Sequence, residues 1–263
     1  MRFFALALLL IAAPVWADGT NMRALQTVQD GKGWQAVGRI ELGGRGFCTG
    51  ALIADDLVLT AAHCLFDKET GARIAEGDLQ FLAGWRNGRA EAYRNVARAL
   101  VHPGYAFGVG EDLGNVGVDL ALLRLDQPIR LPQVTPFATD WSPMMGEEVG
   151  IVSYAMDRSE APSLQEVCEI MAQRSDLMVL TCAVEFGASG APVFAMRDGE
   201  VRIVSVVSAK AVVEGKAVSL AVPLMEPLAV LQAEMAAGAP RAAPGPKVLS
   251  GGGGGAKFIK VAP

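Results

Sequence analysis

A single serine lies among small residues in Phe186-Gly187-Ala188-Ser189-Gly190-Ala191-Pro192-Val193. A serine hydroxyl is a weak nucleophile near neutral pH and needs an adjacent base, for which imidazole has a suitable pKa. The chain has two histidines, His63 and His102, and both precede this serine. The base for Ser189 must therefore come from earlier in the chain, and this order restricts the folds that the chain can adopt.

The composition is that of a globular protein, with 263 residues of which 51% are hydrophobic and 19% charged. This is enough apolar material for one domain or two small lobes. The formal net charge of −5 gives no reason to expect a nucleic acid or an anionic membrane as a partner.

The first residues have the pattern of a signal peptide. Arg2 is followed by an apolar run from Phe3 to Ala13, and Val15 and Ala17 are small residues at the positions that a signal peptidase reads. The run is shorter than the roughly 20 apolar residues of a membrane span. We predict a signal peptide over residues 1–17 and a secreted or periplasmic protein, with an uncleaved membrane anchor as the alternative.

Four cysteines in an exported chain favour two disulfides. Local pairing joins Cys48 to Cys64 and Cys168 to Cys182, which gives one bridge in each half of the chain. Two other connectivities remain open, as do free buried thiols. The chain has no CxxC motif and its two histidines are far apart, so we expect no zinc site, no other metal and no cofactor.

Short strand-like runs separated by turn residues extend from Trp34 to Val222. Asn87-Gly88 and Asp198-Gly199 lie between such runs, and both pairs are typical of two-residue β-hairpin turns. There is no alternation of strand and helix patterns. The sequence therefore predicts an all-β sandwich or barrel.

The two ends of the chain differ from this β pattern. Residues 18–33 are polar, which suits a short propeptide or a loosely docked N-terminal segment. At the other end, apolar residues at three- and four-residue spacing predict a helix over 224–237 with one apolar face, and Gly238 ends it. That face consists of Leu224, Leu228, Leu231 and Met235. Residues 238–263 are rich in Ala, Gly and Pro, and we predict a disordered tail.

Three short motifs carry candidate chemistry. Val58-Leu-Thr-Ala-Ala-His-Cys64 places His63 after a strand and beside a cysteine. Val118-Asp-Leu-Ala-Leu-Leu123 places Asp119 before another strand, and the third motif holds Ser189. A carboxylate that orients an imidazole, which in turn serves a serine, forms a catalytic triad. His102 lies in a turn-like segment, so we assign the base to His63.

The order of these residues discriminates between serine hydrolase folds. An α/β-hydrolase runs serine, acid, histidine, but no histidine follows Ser189. The order His63, Asp119, Ser189 is that of the chymotrypsin type. The amides of Gly187 and Ser189 would form an oxyanion hole, because glycine lets the backbone bend so that both face one point.

On these motifs the chain resembles the trypsin/chymotrypsin-like serine protease superfamily. The resemblance runs from about Trp34 to the predicted helix and implies two packed antiparallel β-barrels. Residues 34–130 would form the first barrel, with His63 and Asp119. Residues 131–237 would form the second barrel and the C-terminal helix, with Ser189.

Two departures from the animal enzymes refine this resemblance. Those enzymes have an aspartate before the serine, which pairs with a new N-terminus after zymogen cleavage, whereas this chain has Ala188. We therefore expect no such activation switch. The placement of Cys168 and Cys182 is more similar to the bacterial secreted branch that includes glutamyl endopeptidases.

The resemblance also suggests residues of the specificity pocket. Ala183 would lie at its floor, and Ser205, Val206 and Val207 would form the wall that binds substrate. Val207 would narrow the pocket and favour small apolar side chains over Lys or Arg, while Lys210 would attract an acidic one. The alternative is that Val206 and Val207 belong to the ordinary barrel core.

We therefore expect an exported, monomeric serine endopeptidase that acts on polypeptides and needs no cofactor. We expect no nucleic-acid partner, and no membrane partner once the signal peptide is removed. The alternatives are a protease-like binding protein with latent catalysis, and an esterase that uses the same triad.

Overall fold

The structure is a computed structural model that describes residues 22–108, 113–140 and 143–238. The predicted signal peptide and all of the predicted tail after Gly238 lie outside these residues. Strands dominate the described chain, as the sequence predicted. Within the described ranges, no helix has the length and apolar character needed to cross a membrane.

Six strands of the first half form a closed barrel. They are β2 (Val37–Leu42), β3 (Phe47–Ala54), β4 (Leu57–Thr60), β5 (Leu79–Ala83), β6 (Ala92–Val101) and β7 (Ala121–Leu125). The order around the barrel is β2, β3, β4, β7, β6 and β5, and every neighbouring pair is antiparallel. Apolar side chains at alternate positions fill its interior, as strand geometry requires.

The strands of the second half form a sheet that closes on itself. The strands are β8 (Glu148–Ala155), β9 (Arg158–Arg174), β10 (Leu177–Leu180), β11 (Pro192–Arg197), β12 (Glu200–Val213) and β13 (Lys216–Pro223). Strand β8 pairs with both β9 and β11, and the remaining pairings run from β9 through β10, β13 and β12 to β11. The all-β architecture of two antiparallel barrels is thus confirmed.

The N-terminal segment is attached to the second barrel. Met22–Ala24 forms a short strand, β1, which pairs antiparallel with Ser163–Gln165 of β9. The next residue, Leu25, is completely buried, and its amide donates to the Pro162 carbonyl at 2.8 Å. This part of residues 18–33 is therefore ordered against the sheet.

Positive φ angles mark the hairpin turns. Asn87 and Gly88 have φ of 49° and 84°, and Asp198 and Gly199 have 51° and 81°, as expected for such pairs. A further turn at Glu214-Gly215, with φ of 50° and 77°, joins β12 to β13. This turn was not predicted from the sequence, and β12 extends to Val213 before it.

Both predicted disulfides are present. Cys48–Cys64 joins β3 to the short 3₁₀ helix Ala62–Leu65, and Cys168–Cys182 joins β9 to the segment after β10. The first bridge therefore fixes the segment that carries His63, and the second lies close in sequence to the Ser189 loop.

The C-terminal helix α2 (Met225–Ala237) packs against the first barrel, although it follows the second in sequence. All four residues of its predicted apolar face are buried in the same core cluster as the strands of the first barrel. The Arg98 guanidinium of β6 donates to the carbonyls of Glu234 and Met235 at 3.4 and 3.3 Å, which places a positive charge at the C-terminal end of the helix. The helix thus ties the two halves together.

Candidate active site

His63 and Asp119 meet at the edge of the first barrel. His63 lies on the 3₁₀ helix after β4, and Asp119 lies between the short helix α1 (Leu113–Val116) and β7. The His63 backbone amide donates to Asp119 Oδ1 at 2.8 Å, and Nδ1 lies 2.7 Å from Oδ2. Asp119 therefore fixes both the main chain and the ring of His63, which leaves Nε2 for another partner.

A second side chain contacts the same carboxylate. Ser208 Oγ donates to Asp119 Oδ2 at 2.5 Å, and both residues are buried. A buried carboxylate needs such donors because it has lost its water. The sequence analysis missed Ser208. The available signal was a polar residue directly after the apolar run that ends at Val207.

Ser189 lies in the loop between β10 and β11 of the second barrel and lines the same cavity as His63. This cavity has a volume of about 240 Å³. Among the described residues, Ser189 Oγ has no hydrogen-bond partner. In unliganded sites such bonds are often long and tighten only when substrate binds. The structure thus brings all three predicted residues to one cleft, with the Asp119–His63 contacts already formed.

The backbone around Ser189 leaves particular amides free. Ala188 N donates to the Glu185 carbonyl at 3.0 Å. The amides on either side, those of Gly187 and Ser189, donate to no acceptor in the described part of the chain. Gly187 has φ of +99°, a conformation that other residues rarely adopt. Two free amides beside a candidate nucleophile are what an oxyanion hole requires.

His102 takes no part in this arrangement. Its Nδ1 accepts from Gly104 N at 3.1 Å, and it lines a separate cavity beside the start of α2. Burial lowers the pKa of His102, against the opposing charges of Glu234 and Glu226. None of its contacts involves Ser189 or Asp119.

A larger cavity of about 600 Å³ adjoins the site on the other side of His63. Its walls come from the α1 region, from Tyr105 and from Ser208–Val212 of β12. Burial, and then the charge of Asp119, raise the pKa of Tyr105, which stays a neutral phenol. Two barrels and the β12–β13 hairpin thus enclose a cleft with His63 at its centre.

The structure corrects the predicted pocket wall. Ser205 and Val206 are completely buried, and Ser205 Oγ donates to the Val222 carbonyl at 2.7 Å, so neither residue lines the cleft. Val207 does line the smaller cavity, whereas Ala183 lines neither of the two. The apolar run before Val207 faces the barrel interior, so the wall begins at Val207, two residues later in the chain than predicted.

Charged and aromatic side chains surround the smaller cavity. Lys210 Nζ lies 3.0 Å from Glu185 Oε2 and 4.4 Å from the centre of the Phe186 ring. Lys68 Nζ lies 5.4 Å from the same ring. Val184 and Ala209 complete the wall. The cavity therefore has a small apolar lining and two lysines beside its aromatic edge.

One group of potential metal ligands lies beside the cleft. Atoms of Cys48, His63 and Cys64 lie within 4.8 Å of one another. The two sulfurs are bonded to each other, so they offer no thiolate to a metal ion.

Comparisons with known proteins agree with this fold. The chain is 37% identical to rat vitamin K-dependent protein C over 106 residues, which is 40% of this chain and 20% of that protein. It is 29% identical to mouse serine protease 23 over 167 residues, which is 56% of this chain and 42% of that protein. The chain thus spans less than half the length of these relatives.

The fold is similar to a solved structure of a Glu endopeptidase in complex with MPD. The TM-score is 0.65 at 20% sequence identity, and the match covers 78% of this chain and 92% of that one. The family model for the trypsin-like peptidase domain matches residues 48–202, which is more than half of the chain. The chain therefore belongs to the trypsin-like peptidase domain family of serine-type peptidases.

Proposed function

We propose that the protein is an exported serine endopeptidase that hydrolyses polypeptides through Ser189, His63 and Asp119. The observation that carries this proposal is the geometry of the cleft. His63 is held on one side by a buried carboxylate and lines the cavity that Ser189 also lines, while two free amides lie beside the serine.

The reaction begins when His63 Nε2 takes the Ser189 hydroxyl proton as Oγ attacks the scissile carbonyl carbon. The carbonyl oxygen becomes an oxyanion, which accepts hydrogen bonds from the amides of Gly187 and Ser189. Asp119 stabilises the imidazolium. His63 then gives its proton to the amine of the leaving peptide, which leaves an acyl-enzyme on Ser189.

Water completes the cycle. His63 takes a proton from the water molecule as its oxygen attacks the acyl carbon, and returns this proton to Ser189 Oγ as the ester bond breaks. The products are a free carboxylic acid and the original serine. Every proton transfer passes through His63, and no further reactant is required.

The substrate is proposed to bind as an added strand along β12. Val206 is the last residue of β12 that pairs with β11, so the edge from Ser208 to Val213 pairs only with β13 among the described residues. A free strand edge binds extended peptides through main-chain hydrogen bonds. This edge lines the larger cavity next to His63.

The proposal also includes export of the protein and activity that needs no zymogen cleavage. Two disulfides suit an oxidising compartment, in agreement with the predicted signal peptide. Ala188 is completely buried and carries no charge to pair with a new N-terminus. We propose a monomer that needs no animal-type zymogen switch.

The test is hydrolysis of an unfolded protein substrate by residues 18–263, with the new N-termini identified by mass spectrometry. We expect cleavage that is lost in Ser189→Ala and in His63→Ala but retained in His102→Gln. Cleavage that persists in Ser189→Ala would reject the assignment.

A protease-like binding protein is the second candidate. The Lys210–Glu185 ion pair and the Phe186 ring beside Ser189 favour it, because they restrict the smaller cavity. A folded protein that binds peptides along β12 without cleaving them would support this candidate and reject the peptidase.

A further inference from the structure

We propose that Thr49 is a positioning residue for the oxyanion hole, through a hydroxyl that reaches from the first barrel to the Gly187 carbonyl. The inference rests on the proposed function and names the group that holds the Ser189 loop in its productive conformation. Thr49 lies in β3 next to the Cys48–Cys64 disulfide and is completely buried.

The hydrogen bonds of Thr49 connect it directly to the loop. Its amide donates to the Ser189 carbonyl at 2.9 Å, and its Oγ1 donates to the Gly187 carbonyl at 2.9 Å. The same Oγ1 accepts from Tyr154 N of β8 at 3.0 Å. One hydroxyl therefore links the first barrel, β8 and the loop.

The direction of an amide is fixed by the carbonyl of its own peptide plane, because a trans peptide is planar and its N–H points opposite to its C=O. The Gly187 amide shares a plane with the Phe186 carbonyl, which accepts from Met156 N at 2.8 Å. The Ser189 amide shares a plane with the Ala188 carbonyl, which accepts from Ala191 N at 2.9 Å.

The plane between these two contains the Gly187 carbonyl, and Thr49 Oγ1 is its donor. Rotation of this central plane would move both neighbouring amides, and glycine at φ +99° has no side chain to resist rotation. The two outer planes are held by main-chain donors. The central plane is held at its carbonyl by Thr49 Oγ1 and at its amide by the bond from Ala188 N to the Glu185 carbonyl. A substitution at Thr49 therefore tests the hold on the carbonyl side of this plane.

A second contact supports the same arrangement. Phe47 and Thr49 lie on the same face of β3, because side chains two residues apart in a strand point the same way. A Cβ on Gly187 would lie 2.5 Å from Phe47 Cε2 and 3.0 Å from Ala155 Cα. Gly187 is thus confined by Phe47 on one side and bound by Thr49 on the other.

Thr60 provides a matched control. Its Oγ1 donates to the Thr49 carbonyl at 2.9 Å, and it is as completely buried as Thr49. Thr60→Val removes a buried hydroxyl from the same network but leaves the donor to Gly187 in place. Thr49→Val removes that donor with little change of shape, and Thr49→Ser keeps it.

The experiment measures kcat and KM for a peptide substrate in the parent protein and the three variants. We expect Thr49→Val to lower kcat by about tenfold to a hundredfold, because small misplacements of catalytic groups have effects of this size. KM should change by less than about twofold, since the hole acts mainly on the transition state. Thr49→Ser and Thr60→Val should stay within about threefold of the parent kcat.

Equal losses of kcat in Thr49→Val and Thr60→Val would overturn the proposal, because removing either buried hydroxyl would then have the same general effect on stability. An unchanged kcat in folded Thr49→Val would overturn it as well. The ¹⁵N–¹H resonance of the Gly187 amide provides a readout that does not depend on turnover. It should shift in Thr49→Val and not in Thr60→Val, even if the parent protein is inactive and the proposed function fails, and an unshifted resonance in Thr49→Val would reject the inference.

Discussion

At the scale of single residues, the site depends on the buried carboxylate of Asp119. It accepts from the main chain and ring of His63 and from Ser208 Oγ. A carboxylate with these donors sets the tautomer of His63, with the proton on Nδ1 and a lone pair on Nε2. In the proposed mechanism, Asp119 orients the base and stabilises its charge.

Replacing Asp119 with Asn should leave the protein folded but lower turnover by about four orders of magnitude, because an amide favours the wrong tautomer of His63. Turnover and the midpoint of thermal unfolding are the two measurements. Unchanged turnover in the folded variant would assign the orienting role to a different acid.

Ser208→Ala should lower kcat/KM by about tenfold, since it removes one hydrogen bond to a charged group. Ser205→Ala is the matched control, because Ser205 is another buried serine of β12 whose hydroxyl donates to the Val222 carbonyl instead. A larger loss of kcat/KM in Ser205→Ala than in Ser208→Ala would contradict this assignment and would favour Ser205 as the residue at the site, as the sequence predicted.

At the scale of elements, the β12–β13 hairpin shapes the cleft. It extends past the barrel to the turn at Glu214-Gly215 and carries Ser208, Ala209 and Lys210 into the two cavities. Lys210 and Lys68 together outnumber Glu185 beside the smaller cavity. The hairpin therefore carries the proposed binding edge and, through Lys210, part of the charge beside the smaller cavity.

Substrates with Lys or Arg directly before the scissile bond should be cut about tenfold more slowly than those with Ala or Val, because their charge meets two lysines in a small cavity. A peptide library with one varied position measures this ratio. Lys210→Ala should reduce the discrimination and Glu185→Gln should increase it. A preference for Lys or Arg in the parent protein would contradict the assignment of the pocket.

The turn that contains His102 should make stability depend on pH. Burial lowers the pKa of His102 below its ordinary value of 6.5, and protonation would remove the acceptor of the Gly104 amide. As the pH falls, the unfolded chain therefore binds more protons than the folded protein. The contribution of His102 to the free energy of unfolding is complete above pH 6.5 and is lost as the pH falls through the pKa of His102 in the folded protein. His102→Gln should flatten this part of the curve of unfolding free energy against pH. If variant and parent gave identical curves, the pH dependence of stability would not come from His102.

At the scale of the whole molecule, the sequence predicted the β class, the strand-rich halves, both disulfides and the apolar face of α2. These features follow from local signals, namely alternation, turn pairs, cysteine spacing and helical periodicity. The order of His63, Asp119 and Ser189 also predicted which fold could bring them into one cleft. The order of these three residues can be read from the sequence because each of them lies in a distinctive local motif.

The remaining features depend on contacts that no local pattern records. Ser205 and Ser208 both flank apolar residues of one strand, and only the packing of β12 decides which one meets Asp119. The short strand β1 has only three residues, too few to show an alternating pattern, and it forms because β9 offers it a partner. The packing of α2 on the first barrel likewise depends on tertiary structure alone.

The central claim is that His63 activates Ser189 as a nucleophile. The most direct measurement is active-site titration of residues 18–263 with a fluorophosphonate, followed by mass spectrometry of the peptide that contains residues 186–193. We predict one adduct per molecule on Ser189, and none on Ser189→Ala or His63→Ala. A folded parent protein without an adduct, or with its adduct on another residue, would contradict the account.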